Sequence, residues 1–214
     1  RYTEEQYKSR FEEDESVGWD AIDEVLDKLY ADQEPRHYGT IIKYMFGGED
    51  PLDGISIYDN HEQIFHRHIV SYGMSELYYS PESAENEFSG WGFEFTFRIV
   101  PFEGDKDADN AKHEPYWAMN VMQNLARYVF DSKKWFEAYH FIPANGPIRL
   151  ECDTKLVGIA FAPDPQLGTI ETPNGEVAFL QMVGITQEEL DWLYENPNTD
   201  RVEELINKMR EDNP

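Results

Sequence analysis

Apolar residues recur at three- and four-residue spacing over Trp19, Ile22, Val25, Leu26, Leu29 and Tyr30, a stripe that predicts an amphipathic helix with Ser16 as its N-cap. Asp20, Asp23, Glu24 and Asp27 fall on the other side of that helix and are expected to face solvent. A second stripe, Trp117, Val121, Leu125, Tyr128 and Val129, broadened by Met122 and Ala126, predicts the principal core helix, with Pro115 in its first turn. Thr186 and Glu189 make a capping-box pair ahead of Leu190 and Leu193, and a final helix from about Thr199 aligns Val202, Leu205, Ile206 and Met209.

Between these stripes the period changes from helical to alternating. Phe93, Phe95, Phe97 and Ile99 alternate with Glu94, Thr96 and Arg98, so the segment 92–100 reads as a strand with one core face and one polar face. β-Branched and aromatic residues between Tyr38 and Tyr72 predict strands near 38–46, 54–58 and 64–72, with Gly47 to Gly54 as a tight loop. The apolar run Lys155 to Ala162 fits a buried strand feeding a hairpin, whose arms are Thr169 to Thr172 and Glu176 to Val183. Pro173, Asn174 and Gly175 supply its turn, because Asn-Gly tolerates positive φ. Neither face of the second arm is polar, which predicts a central strand covered on both sides. Residues 1–15 are charged and poorly patterned, an acidic tail or short exposed helix ahead of a single domain at 16–214. Pro101 to Glu114 reads as a loop and the likeliest internal site of disorder.

Charge changes the picture most. With 43 acidic and 18 basic residues the formal charge is -25, which argues against nucleic acid or an anionic membrane surface as ligand and favours a basic partner. The aromatic run Phe88, Trp91, Phe93, Phe95 and Phe97 is therefore read as core rather than as a base-stacking platform, since Arg98 is the one cation between Tyr72 and Phe102. A single cysteine, Cys152, excludes an intramolecular disulfide and fits a reducing compartment; with no apolar run of membrane length and no signal-peptide pattern, cytoplasm is expected.

Candidate chemistry is sparse. His66 and His68 share one face of a predicted strand and could share a metal, with Asp50, Asp53, Asp59 and His61 nearby in sequence; the alternative is cross-strand hydrogen bonding. A metal-dependent hydrolase built on this pair is one competing functional reading, and a general scaffold protein is the other. The Gly47-Gly48 loop is followed by acids and no lysine, which excludes a phosphate loop. Cys152, Ser71, Ser75 and Ser89 lie in no nucleophile motif, so an enzyme is not expected and no cofactor is called for.

The hairpin segment DPQLGTIETPNGEVAFLQMVGIT (164–186) also resembles the suppressor of fused family, as do GGEDPLDGISIYDN (47–60), HRHIVSYGMSELY (66–78), SGWGFEFTFR (89–98) and WAMNVMQNLARYVFDS (117–132). The resemblance is to the family's N-terminal lobe, in the form of its single-lobe bacterial members. It implies an α+β fold, a mixed and mainly antiparallel central sheet with helices on its faces. It further implies a non-enzymatic protein-binding domain that grips a partner, for instance a peptide added as a β-strand. Single-lobe bacterial relatives are associated with immunity proteins, so the resemblance implies an immunity or regulatory protein that sequesters a protein partner, a basic toxin being one such partner. Tyr58 matches a tyrosine on the peptide-facing side of the family's first lobe, and with Asp53, His66 and His68 it makes the candidate partner-contact set. Arg67 departs from the family, which has an aromatic residue between the two histidines.

Overall fold

The structure, a computed structural model, describes residues 1–101, 114–150 and 152–212. Its strands are β1 (Arg36–Gly39), β2 (Gly54–Asn60), β3 (His66–Tyr72), β4 (Phe88–Ile99), β5 (Phe141–Pro143), β6 (Leu156–Pro163), β7 (Thr169–Thr172) and β8 (Gly175–Thr186). They form one sheet in the order β1-β2-β3-β4-β8-β6-β5, with β7 paired to the first part of β8. All pairings are antiparallel except β4 with β8, which run parallel from Phe93 opposite Ala178 to Phe97 opposite Met182. The helices are α1 (Glu4–Arg10), α2 (Val17–Leu29), α3 (Tyr116–Ser132), α4 (Gln187–Glu195) and α5 (Thr199–Asp212).

Strand alternation assigns the two faces. Phe93, Phe95 and Phe97 of β4, Ile159 and Phe161 of β6, and Leu180 and Met182 of β8 point to α3, packing with Met122, Leu125, Ala126 and Val129. On the other face Tyr58, Val70, Tyr72 and Phe179 meet Ile22 and Leu26 of α2, while Ala160, Ala162 and Ile185 meet α4 and α5. The sheet is thus sandwiched between helices, and β8 is central, as its two apolar faces require.

The hairpin β7-β8 forms as predicted, and so does the capping box of α4, where Thr186 Oγ1 accepts from Glu189 N and the Glu189 carboxylate accepts from Thr186 N. Other details differ. Only Gly175 of the Asn-Gly pair takes positive φ (116°), and a Cβ there would sit 2.7 Å from the Phe88 carbonyl carbon. Asn174 instead is fully buried: its side chain donates to the carbonyls of Glu76 and Tyr78 and accepts from the Tyr7 hydroxyl at 2.6 Å. That bond ties down the short helix α1, whose Tyr7 is buried against Tyr79 and Phe11 while the rest of the helix is exposed. Ser16 and Pro115 occupy the N-cap positions of α2 and α3, without a side-chain cap bond in either case.

The predicted strand 38–46 ends at Gly39, and Tyr44–Phe46 is a 3₁₀ turn. The chain doubles back there, bringing Gly48 so close to Ile42 that a Cβ would lie 2.0 Å from the Ile42 carbonyl oxygen. The loop expected at Pro101 to Glu114 falls on residues 102–113, outside the described residues. Among the described residues no helix is long and apolar enough to cross a membrane.

Candidate functional site

Tyr58, His66 and His68 lie on one face of adjacent strands, with Tyr58 directly opposite His68 in the β2-β3 register. That face is covered by α2. Tyr58 is 2% exposed and its ring stacks on Tyr30 at 4.3 Å, while His68 is wholly buried. Neither offers surface to a partner. Their neighbourhood is instead a closed polar network centred on Asp164, which precedes the β7-β8 hairpin.

Asp164 Oδ2 accepts from His68 Nε2 (3.0 Å), Thr96 Oγ1 (2.8 Å) and Arg98 Nε (3.2 Å). Oδ1 accepts from Arg98 Nη2 (2.9 Å) and from the backbone N–H groups of Gln166 and Leu167 (3.0 Å each). Burial alone would raise the carboxyl's pKa, but the hydrogen bonds from His68 and Arg98 and the Arg98 charge outweigh it and hold Asp164 far below the usual carboxylate range. With Nε2 donating to Asp164, His68 Nδ1 accepts from the Tyr30 hydroxyl at 2.7 Å, and that hydroxyl accepts from Asn60 Nδ2 at 2.9 Å. Burial pushes the Tyr30 hydroxyl up to about 12. His66 Nδ1 donates to the Ile64 carbonyl (2.8 Å) and Nε2 accepts from Arg98 Nη1 (3.0 Å).

All four ring nitrogens of the histidine pair are therefore engaged within the protein. The metal reading would require breaking these bonds, and among the described residues no group of three or more His, Cys, Asp or Glu side chains is placed to hold an ion. The two histidines do share one face; His66 bonds Arg98 across strands, whereas His68 bonds Tyr30, at the end of α2, and Asp164, just past β6. Tyr30, His68 and Asp164 resemble a proton relay in order, but they are enclosed, and their effect is to lock the hairpin approach onto the sheet.

A pH dependence follows. Burial lowers the pKa of both His66 and His68 below the ordinary 6.5. Below that value the unfolded chain binds more protons than the folded one, so their contribution to stability is present above it and is lost as pH falls. Since the charge of -25 also changes with pH, the cleanest readout is comparative. The drop in urea midpoint from about pH 7.5 to about pH 5.5 is expected to shrink in His66→Gln relative to the wild type. Identical drops would show that His66 titrates normally.

Asp53 lies at the opposite end of β2 from the histidine pair. Its Oδ2 accepts from the Tyr78 hydroxyl at 2.5 Å, and both residues line a groove of about 310 Å³ with Tyr44, Met45, Trp91 and Phe130. Lys43 Nζ lies 4.1 Å from the centre of the Tyr78 ring. Beside the groove Ile41, Ile42, Met45 and Phe46 are all exposed, Phe46 by 74%. A run of this kind on a charged protein is unusual for a surface with no contact to make.

The groove floor is Gly73, Met74 and Ser75, and it is held from beneath by Glu94. The Glu94 carboxylate, fully buried on the polar face of β4, accepts from Ser71 Oγ (2.5 Å), Ser75 Oγ (2.6 Å), and the N–H groups of Gly73 (2.9 Å), Ser75 (2.9 Å) and Met74 (3.3 Å). Burial raises its pKa and these donors oppose the rise. Sequence reading marked Glu94 only as a residue on a polar strand face. A clue was available in the acid set among aromatic residues, opposite a Ser-Tyr-Gly-Met-Ser stretch rich in short donors.

Of the four predicted site residues, then, one lines an open groove, two are buried, and His66 is half-buried at the network's edge. A sequence profile described as Suppressor of fused protein matches residues 48–214. The human Suppressor of fused homolog is 36% identical over 175 residues, covering 76% of this chain and 34% of that protein, so the chain spans about a third of the length of that relative. A chain in the Sufu-Fu complex superposes with a TM-score of 0.75 at 31% identity, covering 85% of this chain and 80% of that one. The suppressor of fused homolog from Neisseria gonorrhoeae, at 17% identity and a TM-score of 0.58 over 92% of this chain and 91% of its own, shares the fold. The extent of these matches shows that the chain belongs to the suppressor of fused family.

Proposed function

We propose that this chain is a non-enzymatic protein-binding domain that sequesters a partner, docking it on the groove beside Asp53 and Tyr78. The observation that carries this is the exposed run Ile41, Ile42, Met45 and Phe46 next to that groove. A rigid floor favours the same reading, because preorganised surfaces lose less entropy on binding. One solved relative is in complex with a protein, Fu. Strand β1, at the end of the sheet and leading directly into the exposed run, pairs among the described residues with β2 alone, which supports addition of a peptide strand at its other edge.

The partner is basic in this reading, a toxin neutralised by a bacterial immunity protein being the specific case. The charge of -25 supports it, since opposite charge accelerates encounter and suppresses wrong partners. The test is capture from a lysate of the source organism on immobilised protein, at low and high salt, with Phe46→Asp alongside. One dominant basic protein, lost in high salt and lost with Phe46→Asp, is the expected outcome. Retention of the same proteins by both variants would overturn the assignment of the groove.

A further inference from the structure

The groove beside Asp53 carries more chemistry than an apolar dock needs. Tyr44, Tyr78, Trp91 and Phe130 all line it. Three of these rings meet edge to face in one continuous cluster, with the centre of Phe130 4.9 Å from that of Tyr44 and 5.6 Å from that of Trp91. An aromatic ring has a negative face that attracts a cation. Among the described residues the same lining holds two acids, Asp53 and Glu76, and no base. The Tyr78 hydroxyl donates to Asp53 Oδ2 at 2.5 Å, which fixes that carboxylate at the edge of the Tyr78 ring.

Two further observations point to a cation as the group that fits there. The chain's own ammonium groups already approach the rings: Lys43 Nζ lies 4.1 Å from the centre of Tyr78, and Lys133 Nζ lies 5.9 Å from the centre of Trp91. Neither lysine is among the residues that line the groove. The other observation is electrostatic. Burial raises the Glu76 pKa and the charges of Glu82 and Asp53 add to the rise, while the Tyr78 N–H, 3.3 Å from Glu76 Oε1, opposes it. Glu76 therefore stands in a field of its own sign, which an entering cation relieves and an entering anion strengthens.

We propose that the groove takes one basic side chain of the protein partner, its ammonium or guanidinium group seated against Tyr78 and Trp91 and facing Asp53 and Glu76. This rests on the reading of the groove as the docking site and names the group by which a basic partner is recognised there. The exposed run Ile41, Ile42, Met45 and Phe46 supplies apolar contact beside it. One anchored side chain flanked by surface that excludes water is the usual form of a strong contact between proteins.

The probe is n-butylammonium, a lysine side chain without its backbone, with n-butanol as its neutral counterpart. Each is titrated into the ¹⁵N-labelled full chain at constant ionic strength, and amide chemical shifts report where it binds. Saturable shifts at residues 73–78 and at Trp91 are expected with butylammonium. Butanol is expected to bind more weakly by about tenfold or more, the scale of a partly desolvated cation–π contact. The double variant Asp53→Asn/Glu76→Gln removes both charges and keeps an acceptor oxygen for the Tyr78 hydroxyl and for the Tyr78 N–H. It is expected to lower butylammonium affinity by about tenfold and to leave butanol unchanged, which also reports that the groove is still folded. Shifts spread over the acidic surface without saturation at 73–78, equal affinity for butanol, or unchanged butylammonium affinity in the double variant would each overturn the proposal. The docking reading fails separately, in the capture with Phe46→Asp. A partner lost there, with butylammonium leaving the groove amides unmoved, would remove the cation anchor alone.

Discussion

Replacing Asp164 with alanine is expected to lower the free energy of unfolding by about 3–5 kcal/mol, the cost of removing one partner from a buried ion pair. The carboxylate satisfies six donors, three on each oxygen, and its loss leaves Arg98 Nε and Nη2, His68 Nε2 and Thr96 Oγ1 without this acceptor. Asp164→Asn, which keeps one oxygen for Gln166 N and Leu167 N, is expected to fall between the two. Equilibrium urea unfolding followed by tryptophan fluorescence checks this. A loss below about 1 kcal/mol, the range of exposed pairs, would mean that water serves the network as well as Asp164 does. The depressed pKa fixes the sign with pH: this contribution is complete above the ordinary carboxylate value and is lost as pH falls toward the folded one.

The second large effect is expected at Glu94. Glu94→Ala strands the N–H groups of Gly73, Met74 and Ser75 together with two serine hydroxyls, and a loss of about 2–5 kcal/mol is expected from buried donors left without partners. The effect also has a location. Amide exchange at residues 73–75 is expected to accelerate more than in the helix α3, because the groove floor loses its anchor while the apolar face of β4 stays packed. Uniform acceleration across the chain would instead mark a general destabilisation. Glu94→Gln retains one acceptor oxygen but turns an NH₂ toward donors, so it is expected to lie between the wild type and alanine.

These two residues show what a sequence carries and what it leaves out. Local patterns translated directly: the stripes of α2 and α3, the alternation of β4, the turn chemistry of the β7-β8 hairpin and the capping box at Thr186 all rest on contacts within a few residues. Segment 40–46 misled because β-branched and aromatic composition signals a strand only where a neighbouring strand accepts it. There Gly47, at a φ of 90°, turns the chain and leaves Ile41, Ile42, Met45 and Phe46 outside. The parallel register of β4 with β8 had no local signal at all, since from Phe93 opposite Ala178 onward the pairing joins residues 85 positions apart. The same holds for the site. That His66 and His68 share a face followed from a period of two, but the acceptor of His68 is Asp164, 96 positions further on, and His66 meets Arg98 of β4. Tyr58 matched a partner-facing position by family likeness, and only the placement of α2 over it shows that its ring stacks inside on Tyr30. Asn174 carried a turn signal strong enough to conceal its hydrogen bonds to Tyr7, Glu76 and Tyr78.

Coverage of the groove beside Asp53 and of the exposed run next to it by a protein partner is tested most directly by amide exchange of the free protein compared with the captured complex. Protection over residues 40–48 and 73–78, with the α5 and β5 ends of the molecule unchanged, is the predicted footprint. Protection confined to α5 or β5, with the 40–48 segment exchanging as in the free protein, would contradict it.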